Sequence, residues 1–330
     1  MTAPPHSWAW FQHCTGYDRD ALLRLQAEAP NLYRPFDVRN GQQKWRHIDN
    51  PTGALKRAQS RIKRLLCNEL KVHPALHGGV PSKSTRSAAE DHIHQPCLVG
   101  IDISSYFPSV TNKAVYRFFI RYLGCVPELA KCLTELTTHG GHLPQGAPTS
   151  TIIANLLNRQ LFDVLLGIAS AHKCAMTVYV DDIFFSGRRA RDCIGPAISA
   201  LRKFGYRTSR KKVRIMPQSG EQVMLGLSVG HGIALPAAKL ATIRAAIGAV
   251  ESSGVVSFRG LERLRRQVAW VKGFDPDTAV QLGQQLMAAE RGAVVVFDPD
   301  EAAEPESGSC DLANCRATSR QRGQSMTTAR

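Results

Sequence analysis

The stretch MTVYVDDIFFSG, Met176 to Gly187, sets two carboxylates side by side between apolar runs. TVYV and IFF are short and rich in β-branched and aromatic residues, so the pattern predicts a β-hairpin with Asp181 and Asp182 at its tip. Like charges repel, and burying them is unfavourable, so a chain that places them there needs a counter-charge. A third acid, Asp102, ends the apolar strand of LVGIDISSYFPS and would sit at a sheet edge as well. Three carboxylates that converge in a poorly solvated place cannot all stay ionised without cations. Hard divalent ions with oxygen ligands meet that need, and Mg²⁺ takes one or two carboxylates plus substrate phosphates. Such ions can activate a hydroxyl and steady a leaving pyrophosphate in an in-line displacement.

Two further features bear on that chemistry. LPQGAPTS, Leu143 to Ser150, is a Gly/Pro-rich loop that feeds directly into an apolar helical pattern. Gly146 lets the backbone approach a flat ring closely, and Gln145 offers an amide beside it. A basic set is available to hold a triphosphate: Lys44 and Arg46 in a hairpin predicted around Gly41, and Lys211 and Lys212 after the acids. The whole chain carries 42 Lys and Arg against 27 Asp and Glu, a formal charge of +15, which favours a polyanionic partner, nucleic acid first.

The remaining pattern is that of a globular protein of about two packed units. Residues 1–30 read as a helical lead-in, GALKRAQSRIKRLLCNEL as an amphipathic helix, CLVGIDI as a strand, and 112–138 as helical. TIIANLLNRQLFDVLLGIASA reads as one long helix. A helix over 190–204 follows, then a strand pair around QVMLGLSVGHGIAL, then a basic helical segment from Pro236. After about Asp300 large apolar residues become scarce and the composition predicts a disordered tail. Nine cysteines without a CxxC pair fit reduced thiols in a cytoplasm better than a disulfide framework. No signal peptide and no membrane span are expected. His92, His94 and Cys97 lack a fourth ligand at zinc spacing and read as core or loop residues, and HGGH, His139 to His142, as loop chemistry.

In order, KWR, IDISSYFPS, LPQGAPTS, YVDD, GYRTSRKKVRI and LGLSVG resemble the bacterial reverse transcriptases of the retron type and their relatives in antiviral defence, over roughly residues 31–290. The resemblance implies an α+β right-hand polymerase with fingers, a ferredoxin-like palm and a helical thumb. Between the lead-in (1–30) and the tail (300–330), which carry no match, it divides the chain into fingers and palm (31–232) and thumb (233–299). It implies that Asp102, Asp181 and Asp182 bind two Mg²⁺ ions, with Mn²⁺ able to substitute. It gives Ile103 a carbonyl role at the site and makes Phe107 the aromatic gate against a 2′-hydroxyl. Gln145 would lie near the nucleotide sugar, Arg46 and Lys44 on its triphosphate, and Lys212 would protonate the leaving pyrophosphate. LGLSVG would be the primer grip, and FRGLERLRRQVAWVKGF the thumb helix along the template–primer duplex.

The implied activity is RNA-directed DNA synthesis on a structured RNA in the bacterial cytoplasm, with deoxynucleoside triphosphates as substrates and no membrane. A separately encoded effector protein is a further implied partner. The chain departs from the usual retron pattern at Ser105, where a second acid is common, and in YVDD, where YADD is usual. A template-independent or protein-primed defence polymerase keeps the same residues. A nucleic-acid-binding relative without chemistry is opposed by the intact acids, and a metal-dependent nuclease predicts degradation instead of incorporation.

Overall fold

The computed structural model describes residues 6–39, 45–208 and 212–297. The hairpin tip around Gly41, with Lys44, and also Lys211 and the tail from 300 lie outside the described residues. Helices α1 (Trp8–Thr15) and α2 (Arg19–Glu28) open the chain. Each is capped by a side-chain oxygen, Ser7 on the Trp10 amide and Asp18 on the Ala21 amide. Phe11, Leu22 and Leu25 belong to the same core as Leu55 and Phe119, so these helices are packed into the main body. Strands β1 (Tyr33–Arg39) and β2 (Trp45–Pro51) pair antiparallel from Tyr33↔Pro51 to Arg39↔Trp45. Helix α3 (Gly53–Glu69) buries Leu55, Ala58, Ile62, Leu65 and Leu66 at helical spacing and leaves Lys56, Arg57 and Arg64 in water.

The central sheet is built from β3 (Cys97–Ser104), β4 (Ala175–Tyr179), β5 (Asp182–Ser186), β6 (Arg207–Thr208) and β7 (Arg214–Pro217). Its order is β4-β5-β3-β6, with β7 also on β3, and every pairing is antiparallel. Between β3 and β4 the chain runs through α5 (Tyr106–Ser109), α6 (Asn112–Arg121), α7 (Pro127–Thr137), α8 (Ser150–Leu157) and α9 (Arg159–Ala171). Helix α10 (Ile194–Lys203) separates β5 from β6. This is the split βαβ order of a ferredoxin-like sheet, as expected of a palm.

Alternation along β3 decides which face each side chain serves. Val99, Ile101 and Ile103 join the large core under the helices. Leu98 points the other way and packs with Phe184, Met224, Leu227 and Val229. Asp102 shares the face of Leu98. That second face is covered at one end by α4 (Thr85–Glu90) and the small hairpin of β8 (Val223–Met224) and β9 (Leu227–Ser228).

Beyond Leu235 a separate core begins. It is formed by α11 (Ala237–Ser253), α12 (Phe258–Lys272) and α13 (Pro276–Arg291). A short parallel pair, β10 (Val255–Ser257) with β11 (Val294–Val296), closes it and was not foreseen from the sequence. Trp270 and Phe274 of this bundle rest on the Leu98–Phe184 cluster, which ties it to the sheet.

The expected long helix over 151–171 is two helices, bent by 63° at Asn158. Asn158 has φ −92° and ψ 15°, and its buried side chain binds groups outside the helix, so tertiary bonding overrides the local helical pattern. Likewise 112–138 is two helices, interrupted at Gly124 with φ +71°. Among the described residues no single helix is long and apolar enough to cross a membrane. The seven described cysteines are all free, and burial pushes the thiols of Cys125 and Cys132 up to about 12.

Candidate active site

The hairpin β4–β5 turns through Val180 and Asp181, since Tyr179 pairs with Asp182. Val180 has φ +59°, while Asp181 is not in the left-handed region. Positive φ at the first central residue alone is the pattern of a type II′ turn, where glycine is preferred and valine is strained. Two contacts hold the turn. The Ile103 amide donates to the Asp181 carbonyl at 2.9 Å. On the other side lies Gly78, where a methyl group would stand 2.6 Å from the Val180 nitrogen, so only glycine fits. Asn155 holds that glycine in place by donating Nδ2 to its carbonyl at 3.0 Å.

Register brings the acids together. Asp102 lies directly opposite Asp182 across β3 and β5, a position that sets Cβ atoms about 4.5–5.5 Å apart. Asp181 is the neighbour on the turn. Burial pushes the Asp182 carboxyl up to about 6, with the charge of Asp181 adding to it and Arg214 opposing. Burial and the charge of Asp102 also raise Asp181, while Arg46 and Lys212 hold it down. Lys212 Nζ lies 2.6 Å from Asp102 Oδ1, and Arg214 Nη2 lies 3.6 Å from Asp182 Oδ1.

Asp102, Ile103, Asp181, Asp182 and Lys212 are therefore one cluster, and Arg46 reaches its field from β2. Phe107 is half-buried in α5, against Tyr106 at a ring distance of 5.6 Å. The Gln145 loop is fastened to the β1–β2 hairpin: the Asp49 amide donates to the Gln145 carbonyl at 2.8 Å. Gly146, at φ +117°, would meet Ile48 Cγ2 at 2.8 Å if it carried a methyl group. Lys44 lies outside the described residues.

Several residues at the site escaped the sequence reading. Arg214 opens β7 two residues after Lys212, a spacing visible in KKVR. It lies over Gly100 and 5.9 Å from the Phe184 ring. His92 is a fully buried core histidine, as expected, yet it clamps the acid-bearing hairpin. Its ring nitrogens meet Ser186 Oγ at 2.6 Å and Thr177 Oγ1 at 2.8 Å, and burial lowers it to about 4.

The donors suit a hard divalent ion: three carboxylates, two of them raised by burial and mutual repulsion, the state that a cation relieves. They do not form a finished cage. Among the described residues no group of three or more His, Cys, Asp or Glu stands ready to hold a metal. Lys212 and Arg214 supply the counter-charge instead.

A ferredoxin-like sheet with acids at its open end, a basic hairpin above and a helical bundle beyond defines a polymerase of the right-hand class. A family profile described as "Reverse transcriptase (RNA-dependent DNA polymerase)" matches residues 38–229. The chain belongs to the reverse transcriptase family, a family of RNA-directed DNA polymerases.

Within it the chain is similar to retron enzymes. The retron Mx65 reverse transcriptase of Myxococcus xanthus is 29% identical over 295 residues, 82% of this chain and 68% of that protein. The retron Se72 enzyme of Salmonella heidelberg is 31% identical over 143 residues, 43% of this chain and 38% of that one. Among solved structures, a telomerase from Candida albicans in complex with a fragment of telomeric RNA shares 8% identity at a TM-score of 0.47. It covers 82% of this chain and 58% of that one.

Proposed function

We propose that this chain copies a structured RNA into DNA by two-metal nucleotidyl transfer, in antiviral defence in a bacterial cytoplasm. The observation that carries the chemistry is the register pair Asp102↔Asp182 with Asp181 on the adjoining strained turn. When bound, two Mg²⁺ or Mn²⁺ ions would activate the primer 3′-hydroxyl and offset charge on the leaving pyrophosphate. Asp102, Asp181 and Asp182 would hold them.

The chain's own residues do the rest. Arg46, with Lys44, binds the triphosphate from the β1–β2 hairpin. Gln145, on a loop fastened to that hairpin, lines the sugar side, and Ile103 offers its backbone carbonyl. Phe107 excludes a 2′-hydroxyl by its bulk. Lys212, 2.6 Å from Asp102, would protonate the leaving pyrophosphate. Residues 31–232 act as fingers and palm and 233–299 as a thumb that grips the duplex through phosphates, so binding weakens with salt. A separately encoded effector protein completes the defence role.

The test is primer extension on an RNA template with deoxynucleotides and Mg²⁺. Template-dependent incorporation that Asp182→Asn abolishes is expected. Incorporation without template would favour a template-independent polymerase, degradation a nuclease, and neither would favour a binding relative. The defence role and the RNA are tested in cells: loss of phage resistance in Asp182→Asn, and sequencing of the RNA that co-purifies with the chain.

A further inference from the structure

The bend between α8 and α9 has a chemical cause that also touches the nucleotide site. Asn158 is 3% exposed, and both polar atoms of its side chain are paired. Its Nδ2 donates to the Ala154 carbonyl at 2.9 Å and to the Tyr106 hydroxyl at 3.2 Å. Its Oδ1 accepts from the Tyr206 hydroxyl at 2.9 Å. The two tyrosines are buried as well, with ring centroids 5.6 Å apart. One amide thus joins three segments far apart in sequence: the turn after β3, the break between α8 and α9, and the entry to β6.

Those segments frame Phe107. Tyr106 is its chain neighbour and its ring contact. The turn that delivers both is unusual, because Ser105 has φ +51°, a conformation that needs outside support in a residue with a side chain. On the other side, Arg207 pairs with Ser104 just ahead of that turn. Tyr106 also lies within the field of Asp181. The backbone that carries Phe107 is therefore held by the buried polar network beneath it as well as by the short α5 turn, where the Ser109 amide and hydroxyl both donate to the Ser105 carbonyl.

We infer that Asn158, with Tyr106 and Tyr206, is a positioning network that sets how strictly Phe107 rejects a ribose. This rests on the reading of Phe107 as the gate. Loosening the network lets the Phe107 ring withdraw and admits a 2′-hydroxyl, while the acids and the triphosphate contacts stay in place. Asn158 and the two tyrosines act through Phe107 and touch no substrate.

The experiment measures kcat/KM for a deoxynucleotide and the matching ribonucleotide on one RNA template. Because the readout is a ratio within one preparation, a lower folded fraction does not move it. Tyr206→Phe and Tyr106→Phe each remove one oxygen and keep the ring, and Asn158→Leu removes the whole node. Each is expected to raise relative ribonucleotide use about three- to tenfold, the scale of one neutral hydrogen bond. Phe107→Ala is expected to raise it further, and Tyr206→Phe added to Phe107→Ala is expected to change nothing more.

A ratio unchanged in all three network variants while Phe107→Ala raises it overturns the network and leaves the gate standing. Full additivity with Phe107→Ala also overturns it, since the network would then act elsewhere. An unchanged ratio in Phe107→Ala overturns the gate and the network with it.

Discussion

Two hairpins meet at this site, and they handle charge in opposite ways. In β1–β2 half the side chains are exposed: Trp45 is 67% accessible and Arg39 lies over its ring at 5.2 Å. Two of its described groups are shifted: His47 is raised chiefly by a hydrogen bond from the ring to Asp37 at 2.8 Å, and Tyr33, at the end packed into the core, is raised by burial to about 12. In β4–β5 the strands are buried on both faces, and Asp182 is raised chiefly by burial itself. A solvated hairpin settles its charges pair by pair. In the buried one Lys212 and Arg214 offset the acids from outside the hairpin, yet Asp181 and Asp182 stay raised, a repulsion that a bound cation would relieve. The same local motif thus gives an exposed basic hairpin in one place and a strained anionic tip in the other.

The comparison breaks most visibly if the acids are neutralised. Asp181→Asn and Asp182→Asn are each expected to lower primer extension by about 10³-fold or more, the scale of a lost electrostatic catalytic group. Single-turnover incorporation measures it. An unchanged rate would mean that the anionic tip has no catalytic part.

Burial of the palm hairpin also predicts an acid limit. His92 is neutral in the folded chain, with its value lowered to about 4, against about 6.5 in an unfolded one. The unfolded chain therefore binds the extra proton first. The stability that His92 contributes is complete above about pH 6.5 and is lost as pH falls towards 4, by at most about 3 kcal/mol. Urea midpoints measured across that window check it, and His92→Gln should flatten the slope.

The support of the strained turn is next in size. Gly78→Ala drives a methyl group onto the Val180 nitrogen, and overpacking of this kind destabilises by about 1–3 kcal/mol. The expected outcome is a lower urea midpoint together with reduced extension by the remaining folded enzyme.

The smallest effect belongs to the exposed hairpin. Arg46→Ala should raise KM for deoxynucleotides about tenfold, the scale of one charge-assisted contact, with a smaller change in kcat. Steady-state kinetics at two salt concentrations test this, since screening should shrink the difference.

Asp102, Asp181 and Asp182 were legible because a charge inside an apolar run breaks a strong pattern. So were the two hairpins, whose alternation and turns are local properties. Arg214 and Gly78 were not, because their importance lies in what they touch: Asp182 in one case and the Val180 backbone in the other. The long helix was misread for the same reason. Residues 151–171 have helical periodicity throughout, and only the hydroxyls of Tyr106 and Tyr206 make a bend at Asn158 favourable.

By itself, the order of residues determined the family, the two hairpins, the acids and the basic character, all of which depend on composition and short-range spacing. The tertiary structure alone decided which acid faces which, which cation neutralises each, and what holds the turn and the Phe107 loop. Those outcomes depend on strand register and on buried hydrogen bonds between segments up to about a hundred residues apart, such as Lys212 with Asp102. Long-range contacts of that kind exist only once loop closure has been achieved, and no local pattern encodes them.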